Sequence, residues 1–272
     1  MLKVALVQLT TPSDQSAALA HAAPLVREAA AAGAQLIITP EGTNFLQKDR
    51  RKLFEILAPP EEDEAVRGMA ALARELAVWL LVGSALVKRP DGSAANRSML
   101  FDPDGGLSAS YDKIHMFDVD LPTGERHRES ATYRPGARAV IAEAAGARLG
   151  LTICYDLRFP LLSAALARAG AQIVTVPSAF TRLTGEAHWE LLLRARAIET
   201  GAFVLAAAQG GRHQDGRATW GRSMAISPWG EVRAAVDHDH PGLVLAELDL
   251  HEVDRARAAI PALANARAFE GP

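Results

Sequence analysis

Gly150-Leu151-Thr152-Ile153-Cys154-Tyr155-Asp156-Leu157-Arg158-Phe159-Pro160 changes character at its middle. The first half closes an apolar run, Arg148–Ile153, that reads as a buried strand. The second half reads as a turn opening a helix, with Pro160 at a first-turn position where its missing N–H costs nothing. Cys154 stands at the seam. It is the only cysteine in the chain, and a strand end holds a side chain rigidly while leaving it accessible.

On either side of this stretch, apolar runs alternate with amphipathic ones. Upstream, Val4–Leu9 reads as a buried strand. Asp14 caps a helix to about Ala32, stopped by Gly33, and Pro24 is expected to kink or divide it. Leu36–Thr39 is the next strand, ending at Pro40-Glu41-Gly42. A polar helix follows over Glu62–Ala77, then the strand Trp79–Gly83. Two short strands flank the turn Asp102-Pro103-Asp104-Gly105-Gly106. Asp118–Gly136, rich in charge, proline and glycine, reads as a loop. Ala139–Glu143 pairs with Arg148–Ile153 as a hairpin.

Downstream come a helix over Pro160–Ala169, the strand Gln172–Val176 and a long helix over Glu186–Thr200. Strands are expected at Phe203–Ala207, Ser223–Ile226, Val232–Val236 and Leu243–Glu247. Hairpins mixed with strand–helix alternation predict an α/β protein with mixed sheets. No internal repeat or linker is visible. The 272 residues read as one domain, with a core to about 260 and a tail over 261–272 that lies on a partner subunit or is disordered.

A net charge of −3 gives no reason to expect a nucleic-acid partner or an anionic membrane surface. No apolar run is long enough to span a bilayer. With a single thiol, an intrachain disulfide and a cysteine-based zinc site are both excluded, and a reducing, cytoplasmic setting is expected.

Glu41 and Lys113 share the placement of Cys154, each at or just past the end of an expected strand. Singly, each has a plain explanation: a small buried hydrophobe, a helix-capping acid, a solvated charge. Spacing alone does not decide between these and chemistry.

The motifs themselves are more specific. The Cys154 stretch resembles the nucleophile motif of the carbon–nitrogen hydrolase, or nitrilase-like, family. Thr39-Pro40-Glu41 resembles that family's glutamate motif, and Tyr111-Asp112-Lys113-Ile114-His115-Met116-Phe117-Asp118 its lysine motif. Further likeness lies in Thr184–Thr200 and in Ser227-Pro228-Trp229-Gly230. Pro177-Ser178-Ala179-Phe180 and Ala206-Ala207-Ala208-Gln209 are similar to the branch acting on deaminated glutathione, with the ω-amidases of α-ketoglutaramate and α-ketosuccinamate as neighbours. Arg222, in Trp220-Gly221-Arg222-Ser223, replaces the branch's usual histidine, which bears on substrate preference.

The resemblance implies a four-layer αββα sandwich, paired into a homodimer or higher homo-oligomer. It implies an amidase with no cofactor and no metal, cleaving a small carboxylate-bearing amide to acid and ammonia through a cysteine thioester. Cys154 would be the nucleophile and Glu41 the general base. Lys113 and the Tyr155 backbone N–H would stabilise the oxyanion. A helix starting near Leu157–Pro160 is expected to favour the thiolate. Glu129, in Arg128-Glu129-Ser130, matches a second family carboxylate and would position Lys113. Arg158 would bind the substrate carboxylate; its alternative is an ion pair with Asp156 or Glu186. His188 and Trp189 are read as fixing the start of the long helix. Carbamoylase or nitrilase chemistry on the same fold, an inactive scaffold, and a papain-like Cys–His hydrolase are the competing readings.

Overall fold

The computed structural model describes residues 1–271. Along Leu2–Gln8 the side chains alternate as a strand requires. Leu2, Val4 and Leu6 enter one apolar cluster, while Ala5 and Val7 enter another. The next strand, Leu36–Ile38, divides the same way, with Leu36 and Ile38 on one side and Ile37 on the other. This sheet is therefore buried on both faces. One face packs on the helices Gln15–Ala31 and Glu64–Leu76, through Val26, Ala29, Met69 and Leu72. The other face meets a second sheet. Helices Pro160–Arg168 and Arg182–Thr200 lie against that second sheet. The layers run helix, sheet, sheet, helix.

Each sheet has six strands. The first runs, in spatial order, Gly242–Leu248, Leu2–Gln8, Leu36–Ile38, Trp79–Lys88, Ala94–Phe101, Leu107–Asp112. The second runs Val140–Ala144, Ala147–Leu151, Ile173–Thr175, Phe203–Ala206, Met224–Ile226, Val232–Ala235. Read in these directions, both sheets pair antiparallel, parallel, parallel, antiparallel, antiparallel. The two halves of the sandwich thus share one plan that no sequence repeat announces.

Several sequence expectations are revised. Pro24 does not divide its helix, which runs unbroken from its Asp14 cap over Gln15–Ala31. Buried Ala18, Ala22, Val26 and Ala29, spaced by four, four and three, hold that helix to the sheet across the missing N–H. The strand at Trp79 continues through Gly83 to Lys88, its register shifting between Val82 and Ala85. Asp118–Gly136 is not all loop: Asp118–Asp120 and Arg126–Arg128 pair as a hairpin, followed by a 3₁₀ turn over Glu129–Ala131. The helix Arg50–Ile56 and the hairpin Gly210–Arg212 with Ala218–Trp220 were unforeseen. In the tail, Ala262–Asn265 forms a short helix beside the helices of the second sheet. Among the described residues no helix is long and apolar enough to cross a membrane.

Candidate active site

Glu41 leaves the central strand Leu36–Ile38 through Thr39 and Pro40. Its main chain is fixed by neighbours from both halves of the sandwich. Gly42 N–H donates to Ser84 Oγ at 3.0 Å, and the Gln209 side chain donates to the Glu41 carbonyl at 2.9 Å. Gln209 comes from the second sheet's side of the sandwich and is fully buried. Gly83 makes this approach possible. A Cβ there would lie 1.9 Å from the Thr39 carbonyl oxygen and 2.4 Å from Pro177 Cβ.

Lys113 follows the edge strand Leu107–Asp112, with its main chain bonded to the Asn96 carbonyl at 2.9 Å. Cys154 lies three residues past the strand Ala147–Leu151 and opens a 3₁₀ turn, Cys154–Arg158. Its backbone is left-handed, with φ of 50°. The α-helix starts within the expected Leu157–Pro160 range, at its far end. The sulfur sits on the turn itself, and the α-helix begins only at Pro160.

These elements bring Glu41, Lys113 and Cys154 together. The Lys113 ammonium donates to Glu41 Oε1 at 2.9 Å and to both oxygens of Glu129 at 2.9 Å. Cys154 is buried beside them and lines the same cavity, within reach of the Glu41 and Lys113 charges. Ala179 N–H donates to Glu41 Oε2 at 2.9 Å. Glu129 also accepts from Phe117 N–H at 2.6 Å.

Asn96 was not foreseen. Its amide donates to Glu41 Oε1 at 2.8 Å and reaches Glu129 Oε1 at 3.3 Å, bridging the two carboxylates. No short motif marks it; only the register of its strand brings it here. Ala179 was legible only within the Pro177–Phe180 run, and Gln209 within Ala206–Gln209.

Lys113 and Cys154 are 2% and 7% exposed, so charge there is costly unless paired. For Glu41, burial acts to raise the pKa, but the Lys113 charge and bonds from Lys113, Cys154 and Asn96 hold it below the ordinary value. Burial likewise opposes the Lys113 charge, yet Glu129 and Glu41 hold that ammonium well above its usual value. Burial, then the Glu41 charge, pushes the Cys154 thiol well up, with Lys113 opposing. Burial and the Glu41 charge thus oppose the thiolate, and Lys113 favours it.

Arg158 forms neither of the ion pairs considered. Asp156 is fully occupied by Tyr111, His115 and Ile153. The guanidinium lies over the Phe180 ring, 5.5 Å from its centroid, and donates to His188 Nδ1 at 3.2 Å. Because arginine only donates, that nitrogen is the acceptor. Trp189 donates its indole N–H to the Arg222 carbonyl at 2.8 Å. Arg222 itself sits over Trp220 and does not line the cavity.

Glu41, Lys113, Glu129, Cys154, Tyr155 and Arg158 all border one cavity of about 470 Å³. Among the described residues no cluster of three or more His, Cys, Asp or Glu forms a metal-ligand set.

Residues 3–258 match the family model described as carbon-nitrogen hydrolase. The chain is 41% identical to a human deaminated glutathione amidase over 270 residues, covering 97% of this chain and 82% of that one. The solved NitFhit protein of C. elegans superposes with a TM-score of 0.91 at 34% identity, covering 98% of this chain and 65% of that longer one. Saccharomyces cerevisiae Nit3, of the nitrilase superfamily, superposes at 0.85 with 30% identity, covering 96% of this chain and 94% of that one. With likeness running through nearly all of its length, in sequence and in fold, the chain belongs to the carbon–nitrogen hydrolase family and is a hydrolase of carbon–nitrogen bonds other than peptide bonds.

Proposed function

We propose that the chain is a thiol amidase that hydrolyses a carboxylate-bearing amide of the deaminated-glutathione type, with Cys154, Glu41 and Lys113 as its catalytic groups. The observation that carries this is the buried contact of one ammonium with two carboxylates, in a cavity that the only thiol also lines. The human relative's name supplies the substrate class.

In this reading the sulfur adds to the amide carbonyl as its proton passes to Glu41. A raised thiol pKa suits this order, because the base removes the proton during attack and not before it. The oxyanion is held by Lys113 Nζ and the Tyr155 N–H. Among the described residues that N–H has no hydrogen-bond acceptor. Lys113 keeps a donor for the oxyanion when the two Glu129 oxygens share one hydrogen. Glu41 then protonates the departing nitrogen, releasing amine or ammonia and leaving a thioester. Water, deprotonated by Glu41, attacks the thioester carbonyl, and collapse of that adduct releases the acid and returns the proton to sulfur.

Glu129 positions Lys113 in this scheme, and Arg158 receives the acyl-side carboxylate. Its freedom from any acidic partner supports that assignment. No step calls for a cofactor.

The test is a panel of amides run with wild type, Cys154→Ala and Glu41→Gln. Both variants should lose at least about a thousandfold in kcat while keeping the fold. Substantial turnover by either refutes its role.

We further propose that the chain works as a single domain, with 261–272 as a tail, that it acts in the cytoplasm, and that it assembles as a homodimer or higher oligomer. Leu161, Leu191 and Ile198 on the outer helices are 83%, 69% and 55% exposed, which supports pairing through that face. Sedimentation of only a 29.0 kDa species at micromolar concentration rejects the assembly.

A further inference from the structure

The cavity is lined by far more positive than negative side chains, and their partners sort them. Lys113 is committed to Glu41 and Glu129. Arg126 and Arg128 both turn to Asp120, at 3.4 and 2.8 Å. Arg158 is free of acids and belongs to the nucleophile's own turn. Lys48 is the other lysine in the lining, and it has no hydrogen bond or ion pair among the described residues.

Lys48 does not simply extend into solvent. Its ammonium lies over the tip of the hairpin that follows Gly210–Arg212, where a Cβ on Gly216 would come within 3.2 Å of Nζ. Next in that tip is Arg217, held through two bonds of 2.8 Å to Asp215. The cluster therefore carries two cations against one acid. Tyr133 also lines the cavity. Its hydroxyl has no hydrogen-bond partner among the described residues, so this half-buried phenol keeps a free donor. Burial pushes that hydroxyl above its usual value; the Arg217 and Lys113 charges work against the shift, and Glu129 and Glu41 add to it.

A cationic cluster with an unused phenol donor fits a carboxylate. It is distinct from Arg158, so the ligand it fits has a second acid group. An amide made from a keto acid and a dipeptide has one carboxylate on the acyl side, a few bonds from the scissile carbonyl. Its other carboxylate lies at the end of the leaving group, about 7 Å farther for two extended residues. Building on the function proposed above, we infer that Lys48, with Arg217 next to the glycine it covers and Tyr133 in the same lining, forms a second carboxylate subsite that holds the leaving-group end of a dipeptide amide.

The test compares three substrates with one acyl acid: the cysteinylglycine amide, its C-terminal carboxamide, and the unsubstituted amide. Wild type should favour the free-acid dipeptide over its carboxamide by about tenfold in kcat/KM, the worth of one charge-assisted contact. In Lys48→Met that preference should vanish, through KM and not kcat, and Lys48→Glu should reverse it. Lys48 is exposed, so neither variant endangers the fold. Equal treatment of the two dipeptide substrates by wild type, or a Lys48→Met effect alike on all three, overturns the subsite. Wild type that cleaves the unsubstituted amide but not the dipeptide amides overturns the deaminated-glutathione reading itself.

Discussion

Tyr111 donates its phenolic hydrogen to Asp156 Oδ2 at 2.7 Å, joining the strand that carries Lys113 to the turn that carries Cys154. Asp156 is fully buried, and it also accepts from Ile153 N–H at 2.9 Å and His115 N–H at 3.0 Å. It thus braces the residue before the nucleophile and a residue two past the lysine. Tyr111→Phe removes one strut and leaves a buried oxygen short of a donor, at a cost of about 1–3 kcal/mol of stability. The enzyme should lose about tenfold in kcat with KM nearly unchanged, and Cys154 should alkylate with an altered rate. A change confined to KM would assign the pair to substrate binding instead.

The Cys154 thiol is raised by burial and then by the Glu41 charge. Glu41→Gln deletes that charge while keeping the shape. Iodoacetamide labelling of wild type should therefore keep accelerating above the ordinary thiol value of about 8.5. The variant's inflection should move to lower pH, even as turnover is lost. An inflection that stays put or rises would mean that Glu41 does not face the sulfur as a charged group.

Stability should follow pH through the same pair. The Glu41 carboxyl is held below its ordinary value by Lys113 and its other donors against the pull of burial. The unfolded chain therefore takes up protons first as pH falls. The contribution of Glu41 is complete above the usual glutamate value of about 4.3 and is lost as pH drops through its lower folded value. Lys113 works in the opposite sense. Its raised value gives stability that is complete below about 10.4 and is lost only as pH climbs through its folded value. Urea unfolding from pH 3 to 6 should show an acid limb in wild type that is weaker in Glu41→Gln.

Gly83→Ala should be among the most damaging single changes outside the reacting groups. Its Cβ would meet backbone oxygen at 1.9 Å, and a carbonyl cannot swing aside as a flexible side chain can. The expected loss is about 3 kcal/mol, because the Thr39–Pro40 segment must shift and carry Glu41 with it. Thermal unfolding and kcat measured together check this. A stable variant with full activity would show that the segment yields.

Arg158→Lys keeps a charge but not the planar pair of donors. KM should rise by about tenfold for amides with an acyl-side carboxylate and little for neutral ones. Equal effects on both would make Arg158 a support for Phe180 and His188.

Apolar runs and caps made most strands and helices readable, since burial on one or both faces fixes their periodicity. Cys154, Glu41 and Lys113 were readable through motifs at strand ends. Asn96 was not, because it meets Glu41 through pairing between strands distant in the chain. The matching plan of the two sheets was equally hidden: backbone direction repeats there while side chains do not. The hairpin Asp118–Arg128 escaped because its three-residue strands are too short to show alternation. The upward push on the thiol was hidden because it depends on how deeply the sulfur is buried and on the Glu41 charge brought near it.

A left-handed backbone at a residue with a side chain disfavours the folded form by roughly 1–2 kcal/mol. Cys154 accepts that conformation, and glycine would be relieved of it. Swapping the sulfur-bearing residue for glycine should thus ease the turn in a way that swapping it for alanine does not. At this one α-carbon, durability and reactivity pull in opposite directions, and the inert molecule is the more comfortable one.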